Sequence, residues 1–94
     1  MRYLPRPALV IQSDLFASHP SVVVLPITSD LHDIPLFRIT IKPDAASGLV
    51  KTSQVMVDKP QSIARDKIGK TFGSLGDDTM LAVNRALMLF LGIA

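Results

Sequence analysis

The spacing of apolar and polar residues divides the chain at about Ala64, with a strand-like part before it and a helical part after it. In the first part, "ALVIQ" (8–12) is apolar and β-branched, and "SDLFASHPS" after it carries the Ser, Asp and Pro of a connection. "VVVLPITS" (22–29) is the clearest strand, because consecutive valines suit a pleated, buried surface. Pro26 inside it has no N–H for a ladder, which predicts an edge position or a bulge there. "LFRITIK" (36–42) alternates, with Phe37, Ile39 and Ile41 on one face and Arg38, Thr40 and Lys42 on the other. "PDAASG" (43–48) is a turn in which Gly48 is free to take positive φ. "LVKTSQVMVD" (49–58) resumes the strand pattern, and "KPQSIA" follows it after another proline.

Beyond Ala64 the period lengthens. "ARDKIG" fits one short helical turn, and "KTFGSL" reads as a brief return to strand. "GDDTMLAVNRALMLFLG" reads as a helix, with Gly76 or Asp77 at its N-cap and Gly92 at its C-terminal stop. Asp77 and Asp78 lie where the helix dipole favours negative charge. Met80, Val83, Leu87, Phe90 and Leu91 form one apolar stripe, widened by Leu81, Met88 and Leu89. So broad a stripe predicts core packing, and also part of a subunit contact. Four or five strands followed by one helix define a mainly β fold, a small barrel or sheet with a C-terminal helix. The strands are one short of a comfortable barrel.

Composition narrows the function classes more than it selects among them. Ninety-four residues, 48% of them hydrophobic, are expected to form a single domain spanning 1–94. Ten Lys and Arg against eight Asp and Glu leave a net charge of +2, too little to argue for nucleic acid by itself. The absence of cysteine excludes disulfides and thiolate metal sites. No stretch reaches the length of a membrane span, and no apolar core of signal-peptide length precedes the first prolines. A cytoplasmic protein without membrane association is expected.

Candidate chemistry is sparse. His19 and His32 both fall in connections and lack partners at ligand spacing, so no metal and no cofactor is expected. No phosphate-binding glycine loop and no nucleophile elbow occurs. What remains is polar residues at strand ends: Arg6 before the first strand, Thr28, Ser29 and Asp30 after the second, and Thr52, Ser53 and Gln54 within the fourth. If neighbouring strands run antiparallel, Arg6 and Thr28 share one end of the sheet and Gln54 can face them. An arginine, two hydroxyls and an amide in one cleft suit a phosphodiester. Hydroxyl residues at strand ends are also ordinary structural features, and spacing alone leaves both readings open.

Five segments together resemble the MazF/PemK family of toxins: "RPALVIQSDLF", "VVVLPITSD", "GLVKTSQVMVDKPQSI", "IGKTFGSLGDDTM" and "VNRALMLFLGIA". The resemblance runs in order from about Arg6 to Ala94. It implies an SH3-like small β-barrel with a C-terminal helix, acting as a homodimer. It also implies metal-independent, sequence-specific cleavage of single-stranded RNA, mRNA included, and inhibition by an acidic antitoxin. The family's catalytic arginine falls on Arg6 and its active-site threonine on Thr28. Its RNA contacts fall on Gln54, Thr52 and Asp58, with Ser29 beside Thr28; where some members carry an arginine two residues before the aspartate, this chain has Met56. The family's first strand has no counterpart here, since only "MRYLP" precedes Arg6. A non-catalytic interaction module of the same fold, binding an antitoxin or a target such as gyrase, is the alternative. The pairing of Arg6 with Thr28 favours the nuclease.

Overall fold

The computed structural model describes residues 6–93, and the missing-first-strand expectation concerns positions outside them. Five strands and one long helix follow in order: β1 (Ala8–Val10), β2 (Ser21–Thr28), β3 (Arg38–Ile41), β4 (Ser53–Met56), β5 (Gln61–Ala64) and α1 (Asp77–Leu91). The valine-rich run became the strand from which the rest is built. One edge of β2 pairs with β1, while the other pairs with β5 over residues 21–24 and with β4 over Ile27 and Thr28. β3 then pairs with β4, and every pairing is antiparallel. β2 is therefore shared by two sub-sheets, an SH3-like layout, and the described strands do not close into a complete ring.

Pro26 lies neither on an edge strand nor at the end of β2. The N–H of Ile27 reaches the carbonyl of Pro7, and the N–H of Ile11 reaches the carbonyl of Val23, so odd-numbered residues of β2 address β1. Even-numbered residues address the opposite edge. Val24 is the last partner of β5 and Ile27 the first of β4, which leaves Pro26 at the changeover. No ladder donor is needed at that point, and a proline fits.

The core lies on the inner face of the β2–β4–β3 half. Leu25, Ile27, Ile41, Val55, Val57 and Val83 form one buried cluster, with Phe37, Ile39 and Leu87 packed against it. The alternation read along β3 is borne out: Ile41 is buried and Ile39 is packed on the core, while Thr40 and Lys42 are exposed on the other face. The strand itself is shorter than 36–42, because the N–H groups of Phe37 and Arg38 both turn back to the carbonyl of Ile34. β1 also ends early, at Val10, and the Gln12 side chain takes over there. Its Oε1 accepts from the N–H of Val23, and its Nε2 donates to the carbonyls of Ser21 and Phe16.

The helix begins at a Gly76 N-cap and stops at Gly92, whose φ of 74° is left-handed. Gly92 N–H bonds to the carbonyl of Leu89 and Ile93 N–H to that of Met88, the paired bonds of a Schellman stop. Within the expected stripe only Val83 is fully buried; Leu87 and Met80 are partly covered, while Phe90 and Leu91 are about half exposed. Leu81, Met88, Leu89 and Ile93 are exposed as well, so the last turns of α1 present apolar surface.

"KTFGSL" does not form a strand; residues 70–75 run without regular structure against the 43–48 turn. Ser74 N–H donates to the carbonyl of Ala46 at 2.8 Å. A Cβ at Gly73 would collide with the Ser47 carbonyl, and one at Gly48 with the carbonyl of Phe72. Two glycines thus let two backbones touch. The short helical turn after Ala64 is present as a 3-10 turn over Arg65–Lys67. Among the described residues, no helix is long and apolar enough to cross a membrane.

Candidate functional site

Antiparallel pairing decides which polar strand ends meet. Ala8 lies opposite Pro26 in the β1–β2 register, and two more residues of the same register bring Arg6 opposite Thr28. Thr28 lies opposite Gln54, and Gln54 opposite Thr40. Directly opposed residues point to the same side of a sheet. Arg6, in the segment leading into β1, therefore joins Thr28, Gln54 and Thr40 of three strands in one row on the face away from the core.

An open cleft of about 590 Å³ lies on this row. Arg6, Thr28 and Ser29 line it together with Asp30, Lys51 and Met56. Its wall is apolar backbone and side chain from Pro7, Pro26, Leu49 and Val50. Two cations, Arg6 and Lys51, face one carboxylate, Asp30, whose Oδ2 lies 3.1 Å from Nε2 of His32. The Asp30 N–H donates to Thr28 Oγ1 at 3.1 Å, which fixes the hydroxyl oxygen and leaves its proton free to donate elsewhere. A guanidinium, an ammonium and a presented hydroxyl around an open cleft are groups whose chemistry suits an anion.

Three of the six expected site residues thus share the cleft: Arg6, Thr28 and Ser29. Gln54 is in the same row but buried at 6% exposure, and its carboxamide is engaged within the protein. Nε2 donates to the His32 carbonyl at 2.9 Å and to Thr40 Oγ1 at 3.2 Å, while Oε1 accepts from His32 N–H at 3.0 Å. Thr52 is half-buried beside Lys51 and does not line the cleft. Asp58 lies past the end of β4, with Oδ2 3.7 Å from Lys59 Nζ and Oδ1 buried without a hydrogen-bond partner. Asp30 and Lys51 are cleft residues that strand-end reasoning undervalues. Lys51 was hidden inside a segment that reads as strand, yet β4 starts only at Ser53 and residues 49–51 form the cleft's far lip.

Fold and cleft together define a class: a small SH3-like β protein with a helix at its C-terminus and an arginine-lined cleft at a shared strand end. The chain belongs to the PemK-like, MazF-like toxins of type II toxin–antitoxin systems, whose family model matches residues 2–91. It is 43% identical over 90 residues to a protein of Mycolicibacterium smegmatis named a probable endoribonuclease MazF, covering 96% of this chain and 83% of that protein. The Mycobacterium tuberculosis toxin MazF-mt6 shares the fold with a TM-score of 0.83 at 24% identity, covering 95% of this chain and 88% of that one. A mycobacterial endoribonuclease solved in complex with its cognate antitoxin matches with a TM-score of 0.79 at 25% identity, covering 98% and 85%.

Proposed function

We propose that this chain is a cytoplasmic toxin endoribonuclease that cleaves single-stranded RNA, works as a homodimer and is restrained by an acidic antitoxin. The observation that carries the reading is the convergence of Arg6 and Thr28 on one cleft from adjacent strands. The family membership and the name of the M. smegmatis relative support the same activity.

In this reading the 2′-oxygen of the RNA attacks the adjacent phosphorus as it gives up its proton. The bond from phosphorus to the 5′-oxygen breaks, leaving a 2′,3′-cyclic phosphate and a 5′-hydroxyl that has gained a proton. Negative charge grows on the non-bridging oxygens, and Arg6 is suited to stabilise it because guanidinium stays charged and donates in a planar fork. Thr28 contributes a neutral donor to the same group. The apolar surface at the end of α1 supports the homodimer, since exposed apolar patches of this kind mark interaction sites. An acidic antitoxin segment competing for the cleft would neutralise Arg6 and Lys51.

Incubation with a long unstructured RNA, followed by analysis of product ends, tests the proposal. Cyclic phosphate ends are expected from the parent protein, and Arg6→Ala should slow their formation by roughly 10² to 10³. Intact RNA with the folded parent would point to a non-catalytic interaction module. Cleavage by Arg6→Ala at the parental rate would move the site elsewhere.

A further inference from the structure

We infer that Arg38 is a second phosphate-binding arginine of the RNA site, holding a backbone phosphate next to the scissile one. The inference extends the cleft reading and rests on it. Arg38 lies opposite Met56 in the β3–β4 register, so the two side chains share a face. Met56 and Pro26 both line the cleft, and the β2–β4 register carried on by one residue puts them opposite each other. A second row, Pro26, Met56 and Arg38, therefore runs beside the row of Arg6, Thr28, Gln54 and Thr40. Arg38 ends that row one strand beyond the cleft wall, about 4.8 Å further across the sheet.

Its guanidinium is poorly used by the protein. Nη1 makes two long contacts, 3.4 Å to the Asp30 carbonyl and 3.5 Å to Gln54 Oε1, both beyond the usual range for such bonds. Nε is buried without a hydrogen-bond partner, and Nη2 makes no hydrogen bond among the described residues. Arg38 also makes no ion pair among the described residues, where the pairs are His32 with Asp30 and Lys59 with Asp58. A half-buried arginine with no carboxylate partner, anchored at one nitrogen to the loop that borders the cleft, is placed to receive an external anion. A single-stranded backbone crossing from Arg6 along the outer face meets it there. Because the contact is to phosphate, it adds affinity and register for any sequence, not base preference.

The test is Arg38→Gln in the full chain, with Arg38→Lys as the charge-preserving control. Binding to a single-stranded DNA copy of a mapped cleavage segment, which lacks the attacking 2′-hydroxyl, is measured across a salt series. Arg38→Gln should weaken binding at low salt by roughly ten-fold, and reduce the slope of log affinity against log salt by about 0.7. Arg38→Lys should keep most of the slope. In RNA cleavage the loss should fall on KM more than on kcat. A lowered thermal midpoint with unchanged slope and KM in both variants would mean a structural role and overturn the inference. Arg6→Ala separates the two levels. If it abolishes cleavage while Arg38→Gln leaves slope and KM at parental values, the second arginine is refuted and the cleft reading survives. If it cuts at the parental rate, the cleft reading itself fails.

Discussion

Gln54 on β4 and His32 in the β2–β3 loop exchange two hydrogen bonds, from Gln54 Nε2 to the His32 carbonyl and from His32 N–H to Gln54 Oε1. A carboxamide is chemically a peptide group, so one buried side chain acts here as a short neighbouring strand. The loop it holds also carries Ser29 and Asp30, which border the cleft. Gln54 thus acts on the site through the loop. Replacing it by leucine should cost about 1–3 kcal/mol by orphaning polar groups, and should speed amide exchange at His32. Gln54→Glu keeps the acceptor and loses the donor, so it should fall between. Exchange at His32 unchanged in the leucine variant would count against the clamp.

Thr28→Val keeps the shape of the strand end and removes the hydroxyl. The Asp30 N–H it releases lies at an exposed residue and can turn to water. Stability should therefore hardly change, while single-turnover RNA cleavage should slow by about ten-fold, less than for Arg6→Ala, since a neutral donor contributes less than a charged one. Thr28→Ser should recover most of the rate. A valine variant as slow as Arg6→Ala would require a larger role for the hydroxyl.

Gly48 and Gly73 sit where the 43–48 turn meets the segment before α1, and their alanine variants separate two costs. At Gly48 the φ of 70° is itself unfavourable for a side chain, and a collision with the Phe72 carbonyl is added. At Gly73 the cost comes from the collision with the Ser47 carbonyl. Each variant should lose at least about 2 kcal/mol in urea unfolding, with Gly48→Ala the worse. Parental stability in Gly73→Ala would show that the two segments can part without cost.

The exposed end of α1 gives a direct test of assembly. Phe90 is 49% exposed within the protomer, so Phe90→Glu should leave the fold intact. If the last turns of α1 are the subunit contact, light scattering should shift from twice the 10.2 kDa chain mass to that mass itself. A dimer that persists in this variant would place the contact on another face.

Much of this architecture was legible from local pattern. Alternation gave the two faces of β3, and the acidic start and glycine stop bounded α1, because periodicity and capping depend on neighbours a few residues away. Arg6 and Thr28 were paired by assuming antiparallel neighbours, and the observed register bears that out. What local pattern could not supply was partnership between distant segments. Pro26 is tolerated because β2 changes partner there, which depends on residues 53–64. Residues 70–75 have a strand-like composition, yet the glycine approach to Ser47 and the Ser74–Ala46 hydrogen bond hold them as an irregular strap. Gln54 has the chemistry of an RNA contact, and composition gives no sign of its hydrogen bonds to His32 and Thr40.

Because β2 belongs to both sub-sheets, neither half has an independent existence. Ser21 waits for Ala64 and Thr28 for Gln54, so the central strand cannot be satisfied until most of the chain has emerged and come back to it. Such distant pairing slows folding, since loop closure precedes any reward. During synthesis the valine run would stand unpaired, a sticky edge open to chaperones or to another copy. Once the fold is complete, β1, β3 and β5 are still each held by a single neighbouring strand. The amides of Leu25 and Ile27, which address the short edge strand β1, are then expected to exchange sooner than that of Thr28, which addresses β4.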